Sequence, residues 1–276
     1  MDVVGPLPIT ANGNRFILVA VEYLTGWPEA WALPATSAET VMECIIDLIS
    51  RHGVPERLLT DNAKNFISEA VTTLCSKFNI QKIQTTTYHP QGNGKVERLN
   101  QTITNVLSKL CRSEEFSDSW DMALPFALFS IRSAVSSTTQ YSPFYLLHGY
   151  DMRTPIDNAA NAPHPTWVSP DSYASELTAR LQLARTKALQ HLEQVRLQQK
   201  KRFDSQHKPL DIRPGDLVML RTDSTRSKFD DRFTGPYTVL QQTGPVTYLI
   251  QLSEDKPLNV NIDRLKLYHP SPLRSG

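Results

Sequence analysis

Alternating and helical hydrophobic patterns divide the first 150 residues into interleaved strands and helices. Positions 15–24 are rich in strand-forming residues, and the Thr25-Gly26 pair before positions 27–33 predicts a hairpin. Further strands are predicted at 56–60 and 80–87, and helical spacing predicts four helices, near positions 36–53, 71–78, 96–110 and 119–135. Thr36 and Glu39 have the spacing of a capping box for the first helix. Strands interleaved with helices indicate an α/β fold.

The pattern changes after position 150. Residues 151–170 are rich in Pro, Asn and Ala and predict a linker, and apolar residues at steps of three and four predict a long helix from Asp171 to about Gln206. Beyond position 210, short β-type runs alternate with Gly and Pro, which is typical of a small all-β barrel. The predicted organisation is therefore a core over 1–150, a linker and long helix over 151–207, and a small barrel over 208–276.

Composition narrows the class of protein. The 276 residues are 40% hydrophobic, which supports a buried core. No apolar stretch approaches the ~20 residues that cross a bilayer, so no membrane partner is expected. The first residues lack the basic region and apolar run of a signal peptide, and secretion is not expected. The three cysteines are far apart and form no CxxC pair, so neither a disulfide framework nor a zinc site is expected.

Charge is unevenly distributed along the chain. The whole sequence carries a formal charge of +1, whereas the segment from Thr178 to Arg232 holds 13 Lys/Arg and 7 Asp/Glu, a balance of +6. Such a segment indicates either an anionic partner or a solvated basic helix face, and charge alone leaves both interpretations open.

Two carboxylates lie where they could perform chemistry. Asp61 follows the predicted strand at 56–60, and Glu97 lies in the first turn of a helix that follows a loop with two glycines. Carboxylates at a strand end and a facing helix start can share a divalent cation, since Mg²⁺ takes oxygen ligands. The residues alone also allow a simpler interpretation, with Asp61 forming a turn and Glu97 favouring the helix dipole.

Several long motifs carry a family resemblance. The string YHPQGNGKVERLN (88–100) and the string LLTDNAKNF (58–66) place 35 residues, 62 to 96, between Asp61 and Glu97. Further matching segments are MDVVGPLP (1–8), DDRFTGPYTVL (230–240) and NIDRLKLYHP (261–270). In these features the chain resembles integrases of gypsy-type LTR retrotransposons and their retroviral relatives.

The resemblance implies a ribonuclease-H-like core and an Src-homology-3-like barrel with a GPY motif. It also implies that Asp2, Asp61 and Glu97 are catalytic and hold two Mg²⁺ or Mn²⁺ ions. The implied activity is DNA integration, in which element DNA ends are trimmed and the 3′-hydroxyl is joined to target DNA. DNA and further copies of the chain are the implied partners, and the nucleus, after the cytoplasm, is the implied location.

DNA contacts are expected from the segments around the triad and from basic residues towards the C-terminus. The expected set is Asn62, Tyr88, His89, Gln91, Gly92, Gly94, Lys95, Arg98, Lys200, Lys201, Arg202, Arg221, Arg226, Lys228 and Arg232. A solvated loop histidine is the alternative for His89. Gly235-Pro236-Tyr237 is expected to form a structural turn, and Trp27 and Trp31 are expected in the core.

Two departures from the family pattern lead to further expectations. No HxH…CxxC module precedes the core, so the family's N-terminal zinc domain is expected to be missing. Asp2 is the second residue, where relatives have a preceding half-strand, so weak or no integration activity is expected. A polyprotein fragment, or an impaired or host-adopted remnant that acts as a DNA-binding or assembly module, is the alternative to an active enzyme.

Overall fold

The computed structural model describes residues 1–84, 94–112, 119–160, 169–206, 212–221, 233–244, 247–253 and 256–268. These residues fall into two compact units, Met1–Gln198 and Gln199–Gly276.

The described strands of the first unit form two sheets. Their bounds are β1 (Asp2–Val4), β2 (Phe16–Val21), β3 (Pro28–Leu33), β4 (Arg57–Thr60) and β5 (Gln81–Gln84). The first three strands pair antiparallel in the order β1-β2-β3, which confirms the predicted hairpin, and β4 pairs in parallel with β5. The Met1 nitrogen donates a hydrogen bond to the Leu59 carbonyl at 2.6 Å, so β1 runs beside β4.

Strand β2 separates two hydrophobic cores. Successive side chains of a strand point to opposite faces of the sheet. Leu18 and Ala20 therefore join a core with α1 (Ala38–His52) and its neighbours, whereas Ile17 and Val19 join a second core with helices on the other face. The β1-β2-β3 sheet is thus covered by helices on both faces, the mixed helix and sheet organisation that the sequence predicted.

The helices that cover the sheet begin close to the predicted positions. After α1 they are α2 (Lys64–Ile67), α3 (Glu69–Lys77), α4 (Gly94–Leu110) and α5 (Trp120–Ser133). The predicted capping box at Thr36 and Glu39 is wrong by one residue: the N-cap of α1 is Ser37, whose side chain accepts from the Thr40 amide at 3.2 Å. Either hydroxyl suits the role, and the backbone turns helical only after Ser37.

A buried glutamate joins β3 to both helix layers. Glu29, with a side chain 6% exposed, accepts from Arg51 at 2.8 Å and from Arg132 at 3.0 Å. Its other oxygen lies 2.9 Å from the Trp27 indole nitrogen and 2.7 Å from His52 Nε2. Both carboxylate oxygens are therefore partnered, as a buried charge requires.

Three further helices follow α5. They are α6 (Pro143–His148), α7 (Pro155–Ala159) and α8 (Pro170–Gln206). The short α7 lies in the segment predicted to be a linker, and the long helix predicted from Asp171 to Gln206 is confirmed. Within the described ranges, no helix combines the length and apolar character that crossing a membrane requires.

Gly149 lets α6 end directly against α8. It caps α6 in the left-handed conformation, with φ 82°, and a Cβ atom at this position would lie 2.4 Å from Leu177 and 3.1 Å from Leu181 of α8. Ala184 and Ala188 of α8 are buried with Leu146 in the same region.

The second unit is an all-strand sheet around its own core. Its strands, in the order β10-β6-β7-β8-β9, are β6 (Leu217–Arg221), β7 (Phe233–Gly244), β8 (Thr247–Ser253), β9 (Lys256–Asn261) and β10 (Leu265–Leu267). The small all-β architecture predicted for this region is confirmed. The turn predicted at Gly235-Pro236-Tyr237 is wrong, because these residues continue β7 beside an irregularity in its pairing with β6. A Cβ atom at Gly235 would lie 3.0 Å from the Val218 carbonyl, which explains a glycine inside the strand.

Candidate active site

Asp2 is held by both its own strand and a helix. It lies at the start of β1, opposite Val19 of β2. Its Oδ1 atom accepts from the Val3 amide at 2.9 Å, and its Oδ2 atom accepts from Asn100 Nδ2 at 2.8 Å. The carboxylate is therefore fixed against α4 although it stands near the chain start.

Asp61 follows β4 at the neighbouring sheet edge. Its Oδ1 atom accepts from the Ala63 amide at 3.2 Å, which forms a local turn before α2. Because β1 runs beside β4 through Met1 and Leu59, Asp2 lies next to the strand end that carries Asp61. The sequence prediction that a strand delivers Asp61 to this edge is confirmed.

The two carboxylates interact electrostatically. Burial raises the pKa of Asp2 above its ordinary value, and the negative charge of Asp61 raises it further. The hydrogen bonds from Val3 and Asn100 oppose that rise. A raised pKa with a second carboxylate as one cause is a recognised signature of a functional site.

Asn100 belongs to this site and was missed from sequence. Its Nδ2 atom donates to Asp2, while its buried Oδ1 atom accepts no hydrogen bond from the residues that the structure describes. Such an oxygen is costly to bury without a partner. The available signal was position: Asn100 lies three residues after Glu97, and residues three apart share a helix face.

Glu97 is less closely tied to the pair. It lies in the first turn of α4 with an exposed side chain. In the part of the chain that the structure describes, no three His, Cys, Asp or Glu side chains lie close enough to hold a metal. The structure therefore brings Asp2 and Asp61 together, and links Glu97 to them only through α4, which also carries Asn100.

Lys95, two residues before Glu97, folds its half-buried side chain back onto the turn between β2 and β3. Its amine donates to the Tyr23 carbonyl and lies 5.5 Å from the centre of the Tyr23 ring. Burial lowers the pKa of this amine to about 8, and the nearby Glu22 carboxylate limits the fall. The expectation that Lys95 contacts DNA phosphate stays a prediction, and this geometry does not favour it.

The other residues expected to contact DNA are placed as follows. Asn62, Arg98, Lys200, Lys201 and Arg221 have exposed side chains, and Gly94 begins α4. Tyr88, His89, Gln91, Gly92, Arg226, Lys228 and Arg232 lie outside the described residues, as does the side chain of Arg202. These expectations stay predictions.

Two family models match parts of the chain. Residues 1–90 match the integrase core domain, and residues 235–267 match the integrase p58 C-terminal domain. The first match contains Asp2 and Asp61. Together with the relatives below, these matches support the retroviral-type integrase superfamily.

Individual relatives cover most of the chain. The retrovirus-related Pol polyprotein from transposon 412 of Drosophila melanogaster is 28% identical over 271 residues, which is 98% of this chain and 22% of that protein. The Gag-Pol polyprotein of avian reticuloendotheliosis virus is 31% identical over 243 residues, 85% of this chain and 20% of the polyprotein. The chain thus spans about a fifth of the length of these relatives.

One solved structure resembles the chain over nearly its whole length. It is a chain of the simian T-cell lymphotropic virus intasome in complex with PP2A regulatory subunit B56 gamma, at a TM-score of 0.55 and 19% identity. The match covers 98% of this chain and 78% of that chain. At this level of identity the likeness shows a shared fold.

Proposed function

We propose that the chain is a polynucleotidyl transferase that integrates DNA of a gypsy-type LTR retrotransposon. The observation that carries the proposal is the pair of carboxylates, Asp2 and Asp61, at adjacent strand ends with the Asn100 amide hydrogen-bonded to Asp2. The integrase core domain match over residues 1–90 supports it. The motif resemblance around Glu97 supports the gypsy-type assignment.

A divalent cation fits the donor atoms of this site. Asp2, Asp61 and the unpartnered Oδ1 atom of Asn100 offer oxygen ligands of the kind that Mg²⁺ and Mn²⁺ prefer. A cation here would offset the repulsion from Asp61, which adds to the rise in the pKa of Asp2 that burial causes. We propose Glu97 as the ligand that completes a two-ion site. When bound, such ions supply Lewis-acid activation of an attacking oxygen and stabilise charge on the leaving oxygen.

The chain's own residues perform the remaining tasks. Asn100 orients the Asp2 carboxylate, and the Val3 amide stabilises its ionised form. Asp61 is held in its turn by the Ala63 amide. In the proposed reaction, water attacks a phosphorus atom to trim the element's end, or a DNA 3′-hydroxyl attacks to join that end to target DNA. In both cases one P–O bond forms and another breaks.

DNA binding and self-assembly complete the proposal. Exposed basic side chains lie on α4 and α8 and in the C-terminal sheet, at Arg98, Lys200, Lys201, Arg221 and Lys266, and we propose that they contact phosphates. We propose a ribonuclease-H-like core over 1–150, a linker and helix over 151–207, and an Src-homology-3-like barrel over 208–276. A homo-oligomer on DNA and a nuclear location, after passage through the cytoplasm, follow from the same resemblance.

A second candidate function is a DNA-binding or assembly module without catalysis. The observation that favours it is that Glu97 does not join Asp2 and Asp61 in a three-residue cluster within the described ranges. A remnant of this kind would keep the basic surfaces and lose the reaction.

A strand-joining assay separates the two functions. The full chain is incubated with Mn²⁺ and a duplex that ends in the element's terminal sequence, beside the variants Asp61→Asn and Glu97→Gln. The enzyme predicts metal-dependent nicking or joining that both variants abolish, with DNA binding retained. Salt-sensitive binding without any strand cleavage identifies the module, and cleavage that survives Asp61→Asn contradicts the proposed site.

A further inference from the structure

The first turn of α4 is attached to the turn between β2 and β3. Lys95, the second residue of α4, donates from its amine to the Tyr23 carbonyl and lies over the Tyr23 ring at 5.5 Å. Its attachment point is 72 positions away in sequence, so the contact fixes one helix end relative to a distant part of the fold.

That attachment point is itself well ordered by hydrogen bonds. Glu22 accepts from the Leu24 amide at 3.0 Å and from the Thr25 amide and hydroxyl, each at 2.6 Å. The Gly26 amide donates to the Glu22 carbonyl at 3.0 Å, which closes the turn. The Glu22 carboxylate also attracts the Lys95 ammonium. Glu22 therefore both shapes the turn and holds the Lys95 side chain next to it.

Hydrophobic contacts alone leave this helix end less constrained. Val96 and Leu99, which are 3% and 9% exposed, set which face of α4 meets the sheet. Apolar packing is not directional and fixes the orientation of the first turn only loosely. The charge-assisted hydrogen bond from Lys95 adds a directional restraint two residues before Glu97.

We propose that Lys95, the Tyr23 carbonyl and Glu22 form a turn clamp that positions Glu97 and Asn100 for the reaction at the Asp2–Asp61 pair. Lys95 is thus a positioning residue whose amine acts within the protein and leaves DNA phosphates to exposed residues such as Arg98. This inference rests on the proposed function for its catalytic consequence, while the clamp itself can be tested without catalysis.

Hydrogen exchange measured by mass spectrometry on the full chain tests the clamp directly. Lys95→Met removes the charged donor, so the amides at 98–101, which donate to carbonyls of the first turn of α4, should exchange about tenfold faster, the effect of losing one hydrogen bond from a charged group. Lys95→Arg should restore most of the protection. Lys109→Met, at an exposed position of the same helix, is the matched control and should leave exchange of the amides at 98–101 unchanged.

A double-mutant cycle tests the role of Glu22. Glu22→Gln keeps an oxygen for the turn amides and removes the charge that attracts Lys95. If the two residues act together, the combined Glu22→Gln and Lys95→Met protein should exchange more slowly than the product of the two single effects predicts. If the effects of the two single substitutions on the exchange rate simply multiply, Glu22 is not part of the turn clamp.

Kinetics distinguish positioning from DNA contact. A positioning role predicts that Lys95→Met lowers kcat for joining about tenfold and raises the Mn²⁺ concentration for half-maximal rate, while KM for DNA is unchanged. A phosphate contact instead predicts that the salt dependence of DNA binding loses about one unit of log–log slope. Arg98→Met serves as the positive control for that loss of slope.

The outcomes separate this inference from the proposed function. Unchanged exchange of the amides at 98–101 with Lys95→Met overturns the clamp, whatever the activity. Faster exchange in a protein that never joins DNA supports the clamp and contradicts the enzymatic function. A reduced salt slope with unchanged kcat overturns the positioning role.

Discussion

Asn100 Nδ2 donates to Asp2 Oδ2 at 2.8 Å, across 98 positions of sequence. The bond joins the first strand of the chain to α4, the helix that also carries Glu97 and Lys95. The carboxylate thus depends on a helix whose own orientation depends on Lys95. A substitution that removes either contact should therefore change the orientation of the Asp2 carboxylate.

Substitution of Asn100 tests its part in holding Asp2. Asn100→Ala removes the donor to Asp2 together with an unpartnered buried oxygen, so we expect little change in stability and a fall in joining of about ten- to a hundredfold. Asn105→Ala, at an exposed position of the same helix, should have no such effect. Wild-type activity in Asn100→Ala would mean that Asp2 needs no orientation from α4.

The buried Glu29 should be a major contributor to stability. Glu29→Ala leaves Arg51, Arg132 and His52 without their shared acceptor, so we expect a loss of about 3–5 kcal/mol in the free energy of unfolding. Urea unfolding followed by fluorescence measures the change. Glu39→Ala, at an exposed position in the first turn of α1, is the control and should lower the free energy of unfolding by under about 1 kcal/mol.

The environment of His148 should make the free energy of unfolding depend on pH. Burial lowers the pKa of its imidazole, and the charges of His52 and Arg132 lower it further. Below the ordinary value of about 6.5, the unfolded chain therefore binds this proton more readily than the folded one, and stability falls as pH decreases. The difference in Tm between wild type and His148→Gln should favour wild type most at pH 8 and shrink towards pH 5. A constant difference over this range would contradict the assignment.

Gly149 should be needed for α6 to pack on α8. Gly149 and Gly13 have nearly the same φ, 82° and 80°. A Cβ atom at Gly149 would contact neighbouring side chains, whereas a Cβ atom at Gly13 would have no neighbour within 4 Å among the described residues. Alanine at either position meets the left-handed strain of about 1–2 kcal/mol. Gly149→Ala should lose about 1–3 kcal/mol more through overpacking against Leu177 and Leu181. Equal losses of stability for the two variants in thermal unfolding would show that α8 accommodates the added methyl group without further destabilisation.

The parts of the fold that depend on local pattern were predictable. The strand-forming run of β2 predicts a strand, and the stripe of α8 predicts a long helix, because both signals repeat along the chain. Asp61 was assigned to a strand end for the same reason. The N-cap of α1 was misplaced by one residue, since Thr36 and Ser37 have equivalent hydroxyls and only the backbone selects between them.

The contacts that complete the site depend on distant residues and were not predictable. The spacing of Asn100 from Glu97 indicates a shared helix face, but it does not indicate that the Asn100 amide meets Asp2, 98 positions away. Lys95 was expected at phosphates because it flanks Glu97, yet its amine meets the Tyr23 carbonyl, which only the fold brings close. The turn expected at Gly235-Pro236-Tyr237 was wrong because turn-forming residues also permit an irregular strand.

The alternation of Leu18 and Val19 between opposite faces of β2 has a consequence for how the first unit unfolds. A shift of β2 by a single residue would exchange the side chains of both layers at once. Neither helix layer can therefore open alone. We expect substitution of either Leu18 or Val19 by a smaller residue to speed hydrogen exchange both in α1 and in α4 beyond its first turn. The six residues of β2 thereby make the two helix layers unfold as a single cooperative unit.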